Sequence, residues 1–214
     1  LYSGEVQYFR LKKATWKKNV LKAKKANLNT VSSYIPWCWH EKKEGVFDFR
    51  GKAYPETDLI EFLETVSKLG LYFFARIGPV SNAELINEGL PVWLVKKYPQ
   101  VLLRRKDNAI SSSPALSSYL SPGFQRFVRL WYDKVLPIIE KYRIENGGPV
   151  ILLQLCNEIG MLNWLLKQPD YSKNTTRLYR EYLELKYKNI GTLNELYDKR
   201  FVDFSKINQP DSTV

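Results

Sequence analysis

Histidine is almost absent from this sequence: His40 is the only one, beside two cysteines, Cys38 and Cys156, and a single methionine, Met161. One imidazole leaves little for a zinc site or a histidine-dependent triad, and neither an HExxH helix nor a GxSxG turn occurs. No metal and no cofactor are therefore expected, and His40, beside Trp39, reads as structural. The two cysteines lack metal-type spacing and are either free thiols near a site or a disulfide. No run of roughly 18 apolar residues exists, so no membrane span is expected. Acid is in deficit, with 22 Asp and Glu against 33 Lys and Arg, a formal charge of +11. A basic excess raises nucleic acid as a partner. The cations are spread along the chain, however, and the densest group, Lys12 to Lys25, reads as the wet face of one helix. No nucleic acid is expected. The tripeptide Asn174-Thr175-Thr176 matches a glycosylation sequon but is too short to assign a compartment. The sequence opens at Leu1 almost directly in a strand-like segment, so a missing N-terminus is expected.

What is present is a globular composition, 44% hydrophobic and 14% aromatic over 214 residues. Gly4 to Arg10 reads as a short strand. Thr15 can cap a helix carrying Trp16, Val20 and Ala23 on one face and lysines on the other, with Asn27 ending it in the left-handed conformation. Thr30 to Pro36 is a second strand, rich in β-branched and aromatic residues. Leu59, Phe62, Leu63 and Val66 form the apolar stripe of a helix stopped by Gly70. Leu71 to Ile77 is a third strand, broken by Gly78-Pro79. A Ser-rich surface loop from Ser111 to Ser121 precedes a long helix that starts at Pro122 and holds the helical period through Phe124, Phe127, Val128, Trp131 and Val135, with a kink expected at Pro137. Val150 to Leu153, bounded by Gly147-Gly148-Pro149 and Gly160, reads as a fourth strand buried on both faces. Asn174 to Tyr187 and Thr192 to Tyr197 look helical, with Leu178, Tyr182 and Leu185 as one stripe. Aromatic stripes on these helices are read as core.

Strand and helix thus alternate four times, which argues for a parallel sheet. The fold class is α/β: about four βα units, the N-terminal portion of a (β/α)8 barrel. An open doubly wound sheet is the competitor, but no GxGxxG or GxxxxGK[ST] follows the first strand. The chain is taken as a single catalytic-barrel fragment, 1–214, with 161–214 as a helical insertion and the start of the next βα unit. In such barrels chemistry sits at the C-terminal ends of strands. Three ends carry suitable groups: residues 34–41, 82–84 and 157–158. Two carboxylates, Glu84 and Glu158, with Asn157 and nearby Trp and Tyr, suit a sugar. An acid/base carboxyl works best with its pKa raised, which a pocket of Trp and Ile could provide.

The segments Gly4-Glu5-Val6-Gln7-Tyr8-Phe9-Arg10, Asn29 through Glu41, Gly45-Val46-Phe47-Asp48-Phe49, Arg76-Ile77-Gly78-Pro79, Ala83-Glu84, Gly89 through Leu94 and Gly147 through Gly160 occur in this order. With that spacing the chain resembles the family 35 glycoside hydrolases, β-galactosidases and related exo-glycosidases on a (β/α)8 barrel. The resemblance implies a retaining exo-β-galactosidase in which Glu158 is the general acid/base. Asn157 would bind the sugar 2-hydroxyl, and Tyr34, Ala83 (through its backbone) and Glu84 would line the sugar pocket. It places the nucleophile on a seventh strand outside these 214 residues, so activity of the isolated chain does not follow from it. The expected partners are a β-linked galactoside or related saccharide and the remainder of the barrel, on the same or another chain. Gln7, Cys38, Asn82, Leu85, Cys156 and Ile159 depart from the family pattern. Parts of Val31 to Glu41 and Trp131 to Ile139 also resemble archaeal exo-β-glucosaminidases of the same family. The alternatives are therefore an exo-β-glucosaminidase or a non-catalytic, degenerate carbohydrate-binding half-barrel.

Overall fold

A computed structural model describes residues 1–111 and 115–210, which form two compact units: residues 1–98 with 126–159, and residues 99–125 with those from Gly160 on. The first unit holds all four strands, β1 (Ser3–Glu5), β2 (Thr30–Tyr34), β3 (Tyr72–Arg76) and β4 (Val150–Gln154). They form one sheet in the order β1-β2-β3-β4, every neighbour parallel. Sequential order without a reversal is barrel-like; a doubly wound sheet reverses its strand order at a switch point. Tyr34 pairs with Arg76, and Arg76 with Gln154, so these three C-terminal residues occupy one row across the sheet. Residues in one row project to the same face.

The helices follow the predicted stripes. In α1 (Trp16–Lys25) Trp16 and Val20 are buried, and Asn27 closes the turn with φ 60°. Thr15 does not cap: its hydroxyl donates to Lys12 O at 2.8 Å, inside a 3-10 turn, Lys13–Thr15, that feeds α1. The four-residue α2 (Trp37–His40) continues from β2, and α3 (Leu59–Lys68) buries Leu59, Phe62, Leu63 and Val66. Asp58 caps α3 by accepting from Glu61 N at 3.1 Å. After α4 (Val92–Lys97) comes α5 (Pro122–Lys141), which runs through Pro137 without an assigned break.

Two readings of the first unit are corrected. Only Ser3–Glu5 is strand; Tyr8–Arg10 is a 3-10 turn. A strand would send Tyr8 and Phe9 to opposite faces, whereas the turn lets both bury, with their rings edge-on at 5.8 Å. Strand β4 is not buried on both faces: Leu152 and Leu153 are 43% and 41% exposed. Among the described residues the one strand beside it is β3, and a groove of about 640 Å³ between it and α5, lined by Leu136, Ile139, Ile144, Ile151 and Leu153, stands open. A second groove of about 490 Å³ flanks β1, lined by Val6, Leu11, Ala23 and Leu28 among others.

In the second unit α6 (Met161–Leu165), α7 (Lys173–Tyr187) and α8 (Ile190–Tyr197) follow one another, and no strand occurs among the described residues after Gln154. The expected stripe is displaced. Leu185 is 78% exposed and Tyr182 is also exposed, while Leu183 packs with Leu193, Ile207, Tyr179 and Tyr187. The partners on α8 and beyond select the face, one residue round from the most hydrophobic guess. Residues 99–125, expected to hold a surface loop, are tied to this unit through Asp170, which accepts from Arg104 N at 3.2 Å and Ser118 Oγ at 2.5 Å. Residues 112–114 of the Ser-rich stretch lie outside the described residues.

The core of the first unit is aromatic. Phe62 stacks on Tyr8 at 5.0 Å and meets Trp16 edge-on at 5.4 Å, and Trp37 stacks on Trp131 at 5.9 Å. His40 joins this core, as expected of a structural histidine: Nδ1–H donates to Asp48 O at 2.6 Å, Nε2 accepts from Tyr8 Oη at 2.5 Å, and the ring stacks on Phe49 at 4.7 Å. Burial lowers its imidazole from the ordinary 6.5 to about 4. The unfolded chain therefore takes up a proton near pH 6.5 that the folded chain refuses until about pH 4. This contribution is fully present above pH 6.5 and is lost as pH falls towards 4, amounting to about 3 kcal/mol. Glu41, whose carboxyl burial raises, works in the opposite sense over part of that range. The urea midpoint is expected to drop between pH 7 and 4.5, and His40→Gln to flatten that dependence; an equal slope in the variant would contradict it.

Candidate active site

Arg76 ends β3 in the middle of the sheet and gathers the C-terminal ends of its neighbours. Its Nε donates to Gln154 Oε1 at 2.6 Å and its Nη2 to Asn157 Oδ1 at 2.9 Å. Nη1 forms an ion pair with Glu5, at the end of β1. The guanidinium also lies 3.8 Å from the centroid of the Tyr34 ring, at the end of β2. One side chain thus touches residues contributed by all three other strands or the turns that follow them. The network continues through Gln7, whose Nε2 donates to Glu5 Oε2 at 2.7 Å and whose Oε1 accepts from Tyr34 N at 3.0 Å.

The loop after β3 is held in an unusual shape. Asn82, Ala83 and Glu84 are consecutive left-handed residues, with φ of 50°, 48° and 51°, and Asn87 and Glu88 are left-handed too. Such conformations cost free energy in residues with a Cβ and persist only where surrounding contacts enforce them. Here Ser81 N and Asn82 N donate to Glu88 O at 2.9 and 3.0 Å, and Arg10 donates to Ala83 O and approaches Glu84 Oε2 at 3.4 Å. From beneath, Trp131 Nε1 donates to Ile77 O at 2.8 Å, and Tyr132 Oη lies 3.0 Å from Gly78 O and 2.7 Å from Leu155 O. These two α5 residues tie the ends of β3 and β4 together.

Asn157 is buried against that loop. Its N–H donates to Val80 O at 3.0 Å and Nδ2 to Ser81 O at 3.0 Å, while Oδ1 accepts from Arg76 and from Gln154 Nε2 at 3.3 Å. Glu158 follows in a left-handed conformation, φ 51°, and is exposed. Among the described residues no pocket of Trp and Ile encloses it: Ile159 is 67% exposed, and Trp37 and Trp131 are in the core. Its carboxylate forms no ion pair among the described residues, unlike Glu5 and Glu84. The Tyr34 hydroxyl nevertheless registers all three. Burial raises its pKa, the Arg76 charge lowers it, and the charges of Glu5, Glu158 and Glu84 raise it further. Tyr34 and Asn157, read from separate segments, therefore meet at Arg76, whereas Glu84 and Ala83 are held by Arg10, and Glu158 is linked to the group by its charge acting on the Tyr34 hydroxyl.

Not every residue of 34–41 belongs there. Glu41 is buried, accepting from Trp37 Nε1 at 2.5 Å and Gly45 N at 2.7 Å, and serves the turn. Trp39 is half-buried under Lys42, whose Nζ is 4.1 Å from its ring. Sequence reasoning assigned no role to Glu5, Gln7, Arg10, Arg76 or Gln154. The available signal was positional: Glu5, Arg76 and Gln154 are the polar last residues of strands whose other residues are mainly apolar or small.

Comparison with known proteins places these observations in context. The profile described as Glycosyl hydrolases family 35 matches residues 1–198. A beta-1,2-glucosyltransferase of Ignavibacterium album is 40% identical over 100% of this chain and 30% of its own length. An exo-beta-D-glucosaminidase of Pyrococcus horikoshii is 38% identical, over 99% of this chain and 28% of its own. A beta-galactosidase of Felis catus is 34% identical, over 85% and 24%. The chain thus spans less than a third of the length of each. Among solved structures, a beta-galactosidase of the haloarchaeon Halorubrum lacusprofundi superposes with a TM-score of 0.70 at 20% identity, over 99% of this chain and 29% of that one. That likeness bears on the fold: the strand-bearing unit is the N-terminal part of an α/β barrel.

Both cysteines are free. Burial pushes the Cys38 thiol up to about 11, and burial also raises Cys156, which contacts Val80 O at 3.8 Å. At pH 8 the Cys38 thiolate is about a hundredfold scarcer than in a peptide. Both thiols are expected to react slowly with a disulfide reagent at pH 8 and to be released together by denaturant; rapid titration of either in the folded chain would contradict this.

Proposed function

Because the chain belongs to the family 35 glycosyl hydrolases, we propose that it carries the acid/base part of a retaining, exo-β-galactosidase-like site, with Glu158 as general acid/base. The observation that carries this reading is the meeting of Tyr34 and Asn157 at Arg76 on the C-terminal edge of a parallel sheet, with the charges of Glu84 and Glu158 both acting on the Tyr34 hydroxyl. Chemistry at that edge is the rule for barrels.

In the proposed reaction Glu158, protonated, donates to the glycosidic oxygen as the bond from the anomeric carbon breaks. A second carboxylate, outside these residues, attacks the same carbon from the opposite face, its oxygen about 5 Å from that of Glu158. Glu158, now ionised, takes a proton from the water that hydrolyses the glycosyl intermediate. Asn157 donates to the sugar 2-hydroxyl, while Tyr34, Glu84 and the Ala83 backbone border the sugar. The remainder of the barrel, on the same or another chain, would cover Leu152 and Leu153 and fill the groove beside α5. It would also take Glu158 out of bulk water, where a carboxyl is too acidic to protonate a leaving group efficiently at neutral pH.

Two further readings have observations in their favour. The 38% identity to an exo-beta-D-glucosaminidase supports an amino-sugar substrate. The exposed Glu158 and open β4 suit a carbohydrate-binding half-barrel without catalysis. The longest native protein containing these residues, assayed with an alkyl β-galactoside whose alkoxide leaving group needs a proton, is expected to lose about 10²–10⁴ in kcat/KM on Glu158→Gln. Loss of less than tenfold would remove Glu158 from the acid/base role.

A further inference from the structure

Three consecutive left-handed residues need outside support, and those of the loop after β3 draw it from different places. Asn tolerates such a conformation better than most residues, and Asn82 is buried. Its N–H and that of Ser81 converge on Glu88 O at 3.0 and 2.9 Å, and its Nδ2 reaches Asn157 O at 3.4 Å. Ala83 and Glu84 have no such device. The turn leaves the core at these positions, Ala83 half-buried and the Glu84 side chain 85% exposed. Leu85 N donates to Asn82 O at 2.8 Å, which closes the turn without touching either residue. Among the described residues the Ala83 carbonyl and the Glu84 carboxylate are bonded by one side chain, Arg10.

Arg10 reaches them from a fixed base. It ends the 3-10 turn Tyr8–Arg10, where Tyr8 and Phe9 are buried, and the Tyr8 carbonyl accepts from Leu11 N at 3.1 Å and Trp16 Nε1 at 3.0 Å. The guanidinium lies 5.4 Å from the centroid of the Phe9 ring. From there one planar fork donates to Ala83 O through Nη2 and faces Glu84 Oε2 with Nη1 and Nη2, each at 3.4 Å. We propose that Arg10 is a positioning residue for the candidate site. It sets the Asn82–Glu84 turn in the shape that presents Glu84 and the Ala83 backbone to the sugar, and acts through those two residues. This rests on the proposed placement of Ala83 and Glu84 beside the sugar.

Exposure separates this role from a structural one. The Arg10 and Glu84 side chains are 44% and 85% exposed, so as an ion pair they add little to stability. Tyr8 and Phe9, not Arg10, fill the core beneath. Removing the guanidinium therefore releases the turn from its left-handed shape and leaves the fold standing. A released Glu84 samples many orientations, and fixing one of them on binding costs conformational entropy. Glu84 is not assigned to bond making or breaking, so the loss falls on substrate binding, in KM rather than in kcat. A strut whose loss unfolded part of the population would do the reverse. It would lower the apparent kcat at unchanged KM, with a lower melting temperature.

The test compares the longest native protein containing these residues with its Arg10→Met, Glu84→Ala and double variants, by thermal melting and by kinetics on an alkyl β-galactoside. Arg10→Met is expected to raise KM by about tenfold, with a smaller effect on kcat and a melting temperature within about 3 °C of the wild type. Glu84→Ala is expected to raise KM too. In that background Arg10→Met is expected to have an effect at least about threefold smaller than in the wild type, because the two residues act by one path. Loss of folding in Arg10→Met, a larger effect on kcat than on KM, or fully multiplicative losses in the double variant would overturn the proposal. A wild-type KM in Glu84→Ala would overturn it as well, by removing Glu84 from the sugar pocket, while leaving Glu158 to its own test. If the wild-type protein cleaves no glycoside, the glycosidase reading fails, and calorimetric binding of galactose decides the proposal. Binding weaker by about tenfold in folded Arg10→Met supports it; equal binding, or binding by neither protein, overturns it.

Discussion

A guanidinium at the end of a central strand must find partners for five donors in a place that water barely reaches. The Arg76 side chain is only 15% exposed, and its neighbours are the ends of three other strands and the turns beyond them. Parallel register supplies the partners: Tyr34, Arg76 and Gln154 share one row, Glu5 closes β1, and the turn after β4 returns Asn157 to the same place. An ion pair such as Arg76–Glu5 is weak evidence for stability, because desolvating the charges offsets most of their attraction. Its consequence is orientation. A donor-only group imposes an amide direction on Gln154 and Asn157, and through Glu5 on Gln7. The amide groups at this edge therefore point one way only.

The chain supplies a scaffold for that arrangement and leaves part of it uncovered. Trp131 and Tyr132 of α5 hold the carbonyls at the ends of β3 and β4, and Arg10 with Glu88 O holds the left-handed turn at Asn82–Glu84. Outside that frame Leu152 and Leu153 face solvent, and so does Glu158. Successive strand residues project to opposite faces, so β4 is left exposed on both sides of the sheet.

Much of this was legible from residues in order. The stripe Leu59, Phe62, Leu63, Val66 and the strands Thr30–Tyr34 and Tyr72–Arg76 obey local periodicity, and local periodicity is what a sequence displays. Strand-terminal Asn157, Glu158 and Glu84 were visible as polar groups where apolar runs stop. The misreadings were nonlocal. Tyr8 and Phe9 look like strand residues until the cavity that both must fill is known, and the α7 stripe falls on Leu183 because Leu193 and Ile207 lie there. Strand β4 carries the composition of a doubly covered strand, yet Leu152 and Leu153, which project to its two faces, are both exposed among the described residues. Arg76 stood in a recognised segment without a role, because a hub is defined by its partners, and its hydrogen-bonding partners are 71 to 81 positions away in sequence.

The central claim is that Arg76 and Asn157 act as one unit. A double-mutant cycle on the 214-residue chain tests it most directly, with unfolding free energies for Arg76→Leu, Asn157→Ala and the pair. The account predicts a coupling of about 1–3 kcal/mol between the two positions. Additive effects, agreeing within about 0.5 kcal/mol, would mean that the contact orders nothing and that the polarity of the site is set elsewhere.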